Sequence, residues 1–182
     1  MDTDDRDLIT SLKDDSTREY AFQMLVKKYQ ERLYWHIRKI VMNHDDADDV
    51  LQNTFVKVWR SIEGFREEST LYTWLYRIAT NESLTLINSN KKRNFISTKE
   101  TSEFLMGNLT SDPYFDGDEI QMKLQEAILQ LPEKQRIVFN MKYFDEMKYE
   151  DMSEILDTSV GALKASFHHA AKKIEEYFKN KD

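Results

Sequence analysis

Residues 149–174 read YEDMSEILDTSVGALKASFHHAAKKI. Met152, Ile155 and Leu156 fall at helical spacing, and then Asp157-Thr158-Ser159 breaks the period. Apolar positions resume at Leu163, Phe167 and Ile174. A short helix, a three-residue turn and a longer helix opened by Ser159 as N-cap make the helix-turn-helix layout. The two apolar sets face each other. Ser159, Ala162, Lys164, Ala165, Ser166, His168 and Lys172 are then left on or near the outer face of the second helix. Small residues there let a helix sink into a major groove. Lys164 and Lys172 can reach phosphates or a guanine edge, and Ser159 and Ser166 can donate to phosphate or base. The same pattern also fits an ordinary helical hairpin in a bundle.

The rest of the chain is helical by the same test. The 182 residues include only 4 Gly and 2 Pro, too few for the turns of a sandwich or barrel. Phe22, Leu25, Val26, Tyr29, Leu33, Ile37, Ile40 and Val41 predict a helix over 17–42. A second follows NHDDADDV, with Asp45 or Asp46 as cap, Asp48 and Asp49 in its first turn, and Gly64 at its end. A third runs from about Thr70 to Ser89 on Leu71, Trp74, Leu75, Ile78 and Ala79. Upstream of the helix-turn-helix, Leu124, Ile128 and Leu131 predict a helix over 120–131. Pro132 starts another that ends near Phe144. Residues 94–119 lose the period and hold Asp112-Pro113 and Asp116-Gly117, which reads as an extended linker. The expected fold is therefore all-α. It has an acidic tail over 1–16, one small helical domain over 17–93, an acidic linker over 94–119 and a second helical domain over 120–182.

Charge is unevenly shared. The chain carries −7 overall, but residues 20–93 carry +3, while 1–19 carry −4, 94–119 carry −5 and 120–182 carry −1. A locally basic block allows a phosphate-binding face within an acidic protein, although mixed solvated helix faces look alike. Zero Cys excludes disulfides, iron–sulfur clusters, thiolate zinc sites and cysteine nucleophiles. The acidic N-terminus has no signal-peptide character, and no apolar run is long enough to span a bilayer, so a cytoplasmic protein is expected.

Four stretches occur in a telling order: DDADDVLQNTFVKVW (45–59), FREESTLYTWLYRIATN (65–81), LQLPEKQRIVF (129–139) and the helix-turn-helix (149–173). Together they resemble the extracytoplasmic-function sigma factors of bacterial RNA polymerase, over about residues 17–93 and 120–178. The resemblance implies that 17–93 is sigma region 2 and 120–182 is sigma region 4. It implies core RNA polymerase, through its largest-subunit clamp and its flap, and promoter DNA as partners. It assigns Asp45, Asp48, Asp49, Gln52 and Asn53 to the clamp contact. Phe65, Arg66, Ser69 and Thr70 would form the loop that captures the minus-ten non-template strand. Tyr72, Arg77 and Asn81 follow on the next helix, and Asn88, Lys91, Lys92 and Arg93 would meet duplex phosphates upstream. The helix-turn-helix would read the minus-35 element. Departures from the commonest family pattern are Thr85 and Asn88, where many members carry Asp and Arg, and Ala162 and Ser166, where Thr and Arg are frequent. The resemblance also implies a protein that is monomeric when free and can be held by a membrane-associated anti-sigma factor.

Two competing readings deserve tests. His44 with Asp45, Asp46, Asp48 and Asp49 could hold Mg²⁺ in an enzyme, since carboxylates three or four apart share a helix face. Capping explains a short cluster at a helix start better, and no P-loop, GxSxG or HExxH is present. The expectation is no catalysis, no cofactor and no metal. The other reading is a helix-turn-helix regulator that does not associate with polymerase, which would usually be a dimer on palindromic half-sites. It has no use for the pair of elements at 45–59 and 65–81.

Overall fold

The computed structural model describes residues 3–94 and 119–181, with the side chains of 3, 4, 91–94 and 181 outside that set. All regular structure among the described residues is helical. In chain order it is α1 (Thr3–Lys13), α2 (Arg18–Val41), α3 (His44–Ser61), a 3-10 turn (Ile62–Gly64), α4 (Leu71–Asn94), α5 (Glu119–Leu129), α6 (Glu133–Tyr143), α7 (Tyr149–Leu156) and α8 (Val160–Lys181). The chain divides into two compact units. The acidic linker expected over 94–119 lies outside the described residues except at its ends. No described helix is long and apolar enough to cross a membrane.

The first unit is built on α1, α2, α3 and α4 as far as Ile87. Its core takes Leu25, Leu33 and Ile37 from α2, Val50, Phe55 and Val58 from α3, and Leu71, Leu75 and Ala79 from α4, all buried. Those of α2 and α4 are among the positions that the helical spacing singled out. Phe22 of α2 meets α3 edge-on, with ring centroids 6.2 Å from Phe55 and 5.0 Å from Trp59. Between α2 and α4 the core is polar as well: buried His36 Nε2 lies 2.9 Å from Thr80 Oγ1, which donates to Tyr76 O at 2.7 Å. Pairing buried groups in this way removes the penalty of desolvating them.

One difference from the sequence reading is large. Residues 3–13, expected as part of an acidic tail, form α1, which packs on α2. Ile9 and Leu12, one helical turn apart, are 1% and 0% exposed. Buried Asp5 accepts from Lys28 Nζ at 2.9 Å and Tyr29 Oη at 3.0 Å. The acids that suggest a solvated tail thus include one anchoring partner. A smaller difference concerns α3, which starts at His44 and places Asp45 and Asp46 inside its first turn rather than at the cap.

Burial, reinforced by the Asp5 carboxylate, pushes the Tyr29 hydroxyl well above the ordinary tyrosine value of 10.0. The fold favours the protonated phenol. This contribution is therefore complete below about pH 10 and is lost as pH rises from there toward the raised value. Tyr29→Phe should cost about 1 kcal/mol at neutral pH and flatten the alkaline loss. Urea midpoints at about pH 7 and about pH 11 check this. An alkaline loss as steep in Tyr29→Phe as in the parent chain refutes it.

The second unit packs α8 across α5, α6 and α7. Ala127, Ile128, Leu131, Phe139, Ala170 and Ile174 form its buried cluster, flanked by Leu124, Phe167, Tyr177 and Phe178. Phe139 stacks between Tyr143 and Phe167, with centroids at 5.1 and 5.6 Å. Pro132 caps α6 from just outside, where its missing N–H leaves no bond unmade.

Candidate nucleic-acid and protein interfaces

In the second unit, α7, the turn and α8 take the helix-turn-helix form. Buried Met152 and Ile155 of α7 and Leu163 of α8 lie in the core of the corner. Asp157 takes the left-handed conformation (φ 48°, ψ 49°) with its N–H on Ser153 O. Short polar side chains tolerate that region better than most, which suits Asp to the bend. Ser159 Oγ accepts from Ala162 N–H at 3.3 Å, the N-cap expected from the sequence.

The outer face of α8 then follows. Ser159, Ala162, Lys164, Ala165, His168 and Lys172 are exposed, and Ser166 is half-buried at the edge. A Cβ built at Gly161 meets nothing within 4 Å, so the face is low there without steric need from the fold. The corner also assembles a group that spacing did not suggest. The Tyr149 ring carries Lys164 Nζ at 5.7 Å and Lys142 Nζ at 5.0 Å from its centroid, and Lys142 also donates to Met147 O at 3.0 Å. Three helices contribute to this cationic edge, so no helical period within one of them reveals it.

In the first unit, α3 offers Asp45, Asp49, Gln52 and Asn53 as exposed residues, with Asp48 half-buried beside them. Inward-facing Ala47, Val50 and Thr54 fix this face. Burial pushes the Asp46 carboxyl up, and Asp49 and Asp45 add to the shift by repulsion. Among the described residues no group of three acid or imidazole side chains could hold a metal ion, the His44 cluster included.

The loop between the 3-10 turn and α4 holds the next set. Arg66 is exposed and Ser69 half-buried. Thr70 caps α4, its Oγ1 accepting from Thr73 N–H at 3.1 Å. Phe65 faces inward: it is 5% exposed, with its ring 4.8 Å from that of half-buried Trp74. It supports the loop from beneath and has no open face for a base. On α4, Asn81 and Asn88 are exposed, Tyr72 and Arg77 half-buried, and the Tyr72 ring lies tilted against that of Tyr76 with centroids 4.2 Å apart. Lys91, Lys92 and Arg93 occupy the last turn of α4.

The loop has a support that the sequence reading missed. Lys13 Nζ, at the end of α1, donates to Phe65 O at 2.9 Å and to Glu67 Oε1 at 2.8 Å. Arg18 donates to Trp59 O at 2.6 Å, pairs with Glu63 and covers the Trp59 ring at 4.4 Å. These partners are more than 40 residues apart in sequence.

Comparison with known proteins gives the same arrangement of parts. The Sigma-70 region 2 family matches residues 25–93, and the Sigma-70 region 4 family matches residues 121–174. The RNA polymerase sigma-H factor of Pseudomonas aeruginosa is 32% identical over 164 residues, covering 86% of this chain and 85% of its own. The ECF RNA polymerase sigma-E factor of Haemophilus influenzae is 31% identical over 163 residues, 85% of this chain and 86% of its own. Among solved structures, CnrH in complex with the cytosolic domain of CnrY covers 98% of this chain and 99% of that one, at 21% identity and a TM-score of 0.71. The sigma factor RpoE in complex with the anti-sigma factor NepR from Bartonella quintana covers 87% and 96%, at 21% identity and a TM-score of 0.70. These two share the fold. With the relatives matched across nearly their whole length, the chain belongs to the extracytoplasmic-function sigma factors, which direct promoter-specific initiation by RNA polymerase.

Proposed function

We propose that the two units divide the work of initiation between them. The exposed face of α3, with Asp45, Asp48, Asp49, Gln52 and Asn53, docks on the clamp of the polymerase largest subunit. Arg66, Ser69 and Thr70 on the loop, with Tyr72, Arg77 and Asn81 on α4, receive the separated minus-ten strand, and Phe65 holds that loop up. Asn88, Lys91, Lys92 and Arg93 run on toward upstream duplex phosphates. A strand site needs cations and a polar pocket more than a deep groove, because the unstacked strand presents phosphates and single bases. The outer face of α8 reads the minus-35 duplex while the second unit rests on the flap.

The observation that carries this reading is the segregation of charge in the first unit. One helix presents Asp45 and Asp49 to solvent, while the separate loop before α4 presents Arg66. A single nucleic-acid surface would not use the first, and a simple regulator would not need it. The regulator independent of polymerase is not favoured, since the relatives span both units and are themselves polymerase sigma factors. The chemistry of RNA synthesis stays with the polymerase, so this chain acts without a catalytic residue or cofactor of its own, in the cytoplasm, as a monomer when free. The two solved relatives are held by a partner protein, CnrY or NepR. By analogy an anti-sigma factor, membrane-associated or soluble, restrains this chain. Run-off transcription with purified core polymerase over random genomic templates tests the reading. Defined start sites that appear only with the chain support it, and a chain that never gives initiation refutes it.

For the second unit the expected effects are modest. Lys164→Ala should weaken use of the minus-35 element about threefold and lower the salt slope of DNA binding by about 1. Core binding should not change. Promoter titrations at several salt concentrations check this, and an unchanged slope removes Lys164 from the phosphate contact.

A further inference from the structure

We infer that α1 is a positioning element for the strand-capturing loop, with Lys13 as its working residue. This rests on the reading of residues 65–70 as that loop. Lys13 is set by a firmly placed helix. Ile9 and Leu12 are buried, and Asp5 is held by Lys28 and Tyr29. The corner after Lys13 is closed by local bonds: Asp14 Oδ1 accepts from Ser16 N–H at 2.9 Å and Ser16 Oγ at 2.7 Å, and Thr17 Oγ1 donates to Ser11 O at 2.9 Å. From this base Lys13 bonds both the carbonyl of Phe65 and the carboxylate of Glu67.

Two consequences follow. The first is geometric. Glu67 has φ 59°, in the left-handed region that few residues other than glycine occupy and that costs free energy to hold. The Lys13 contacts on either side of Arg66 offset that cost and so aim Arg66. The second is electrostatic. Residues 63–68 contain Glu63, Glu67 and Glu68 against the single cation Arg66, a poor surface for a phosphate backbone. Lys13 neutralises Glu67 and Arg18 neutralises Glu63. Glu68 lies 4.0 Å from Arg66, with both side chains at least 80% exposed, so water screens that pair and Arg66 keeps its reach. Lys13 thus turns an acidic loop into one that accepts a strand.

The test uses the full chain with core polymerase and a fork-junction promoter whose minus-ten strand is single-stranded. Lys13→Met should weaken capture of that strand about fivefold. Core affinity should stay within about twofold, because the acidic face of α3 is untouched. Lys13→Arg should restore most of the capture. Glu67→Gln in the Lys13→Met background should restore part of it, since it removes the charge left unpaired. That rescue separates positioning from mere support of the fold, which no change at Glu67 would repair. Wild-type capture by Lys13→Met, or a parallel loss of capture and core binding that Glu67→Gln does not relieve, overturns the inference. Arg66→Ala is the companion measurement. If it captures the strand like the parent, the loop is not the strand site and both readings fall. If it is impaired while Lys13→Met is not, only the role of Lys13 falls.

Discussion

The double reversal Asp48→Lys, Asp49→Lys should weaken binding to core polymerase about 100-fold, the sum of two lost attractions and two new repulsions at a charged interface. Direct titration of labelled core enzyme reads it. DNA binding by the second unit should be unaffected, because α8 packs on a core of its own unit. The fold should survive. Asp48 and Asp49 lie past the first turn of α3, so the helix dipole makes their loss cost only about 0.3 kcal/mol each. Part of that is offset at Asp46. Its carboxyl is pushed up first by burial and then by Asp49 and Asp45, so removing the Asp49 charge eases its ionisation. Circular dichroism should therefore report intact helices. A loss of core affinity below about threefold would reduce the acidic face to helix capping and leave the polymerase contact without a location.

What the sequence made legible depended on whether the relevant contact was local. The helix-turn-helix was open to reading because its evidence is periodic. Met152, Ile155 and Leu163 keep the helical stripe, Asp157 breaks it, and Ser159 restarts it within its own turn. The core positions of α2 and α4 were equally plain, since a buried stripe writes itself at intervals of three and four residues. Helix α1 was hidden by its acids. Asp5 looks solvated until Lys28 and Tyr29 are brought to it from more than 20 residues away. The inward turn of Phe65 was hidden for a related reason. An aperiodic loop carries no signal of which side chain turns inward, and only the nearby Trp74 ring explains the choice. Lys13 with Phe65, and Lys142 with Tyr149 and Lys164, are likewise meetings that the fold makes and no motif encodes.

Phe139→Ala should destabilise the second unit by about 3–5 kcal/mol, the usual result of emptying an aromatic position in a packed core. Phe139 is 4% exposed, lies between the rings of Tyr143 and Phe167, and belongs to the cluster that joins α5, α6 and α8. A unit of about 60 residues holds only a few kcal/mol in reserve, so most molecules would lose it near physiological temperature. The consequence for function is selective. Minus-35 reading would fail, whereas the surfaces for core polymerase and the minus-ten strand sit on a unit with its own core. The chain supplies its own probe for this separation. All three tryptophans, Trp35, Trp59 and Trp74, lie in the first unit, so their fluorescence reports that unit alone, while far-ultraviolet dichroism reports helices from both. On heating Phe139→Ala, the dichroism should lose a large early portion of its signal while the tryptophan transition stays where it is in the parent. If the two signals instead shift downward together, the units unfold as one body, and a division of labour that depends on their independence fails with it.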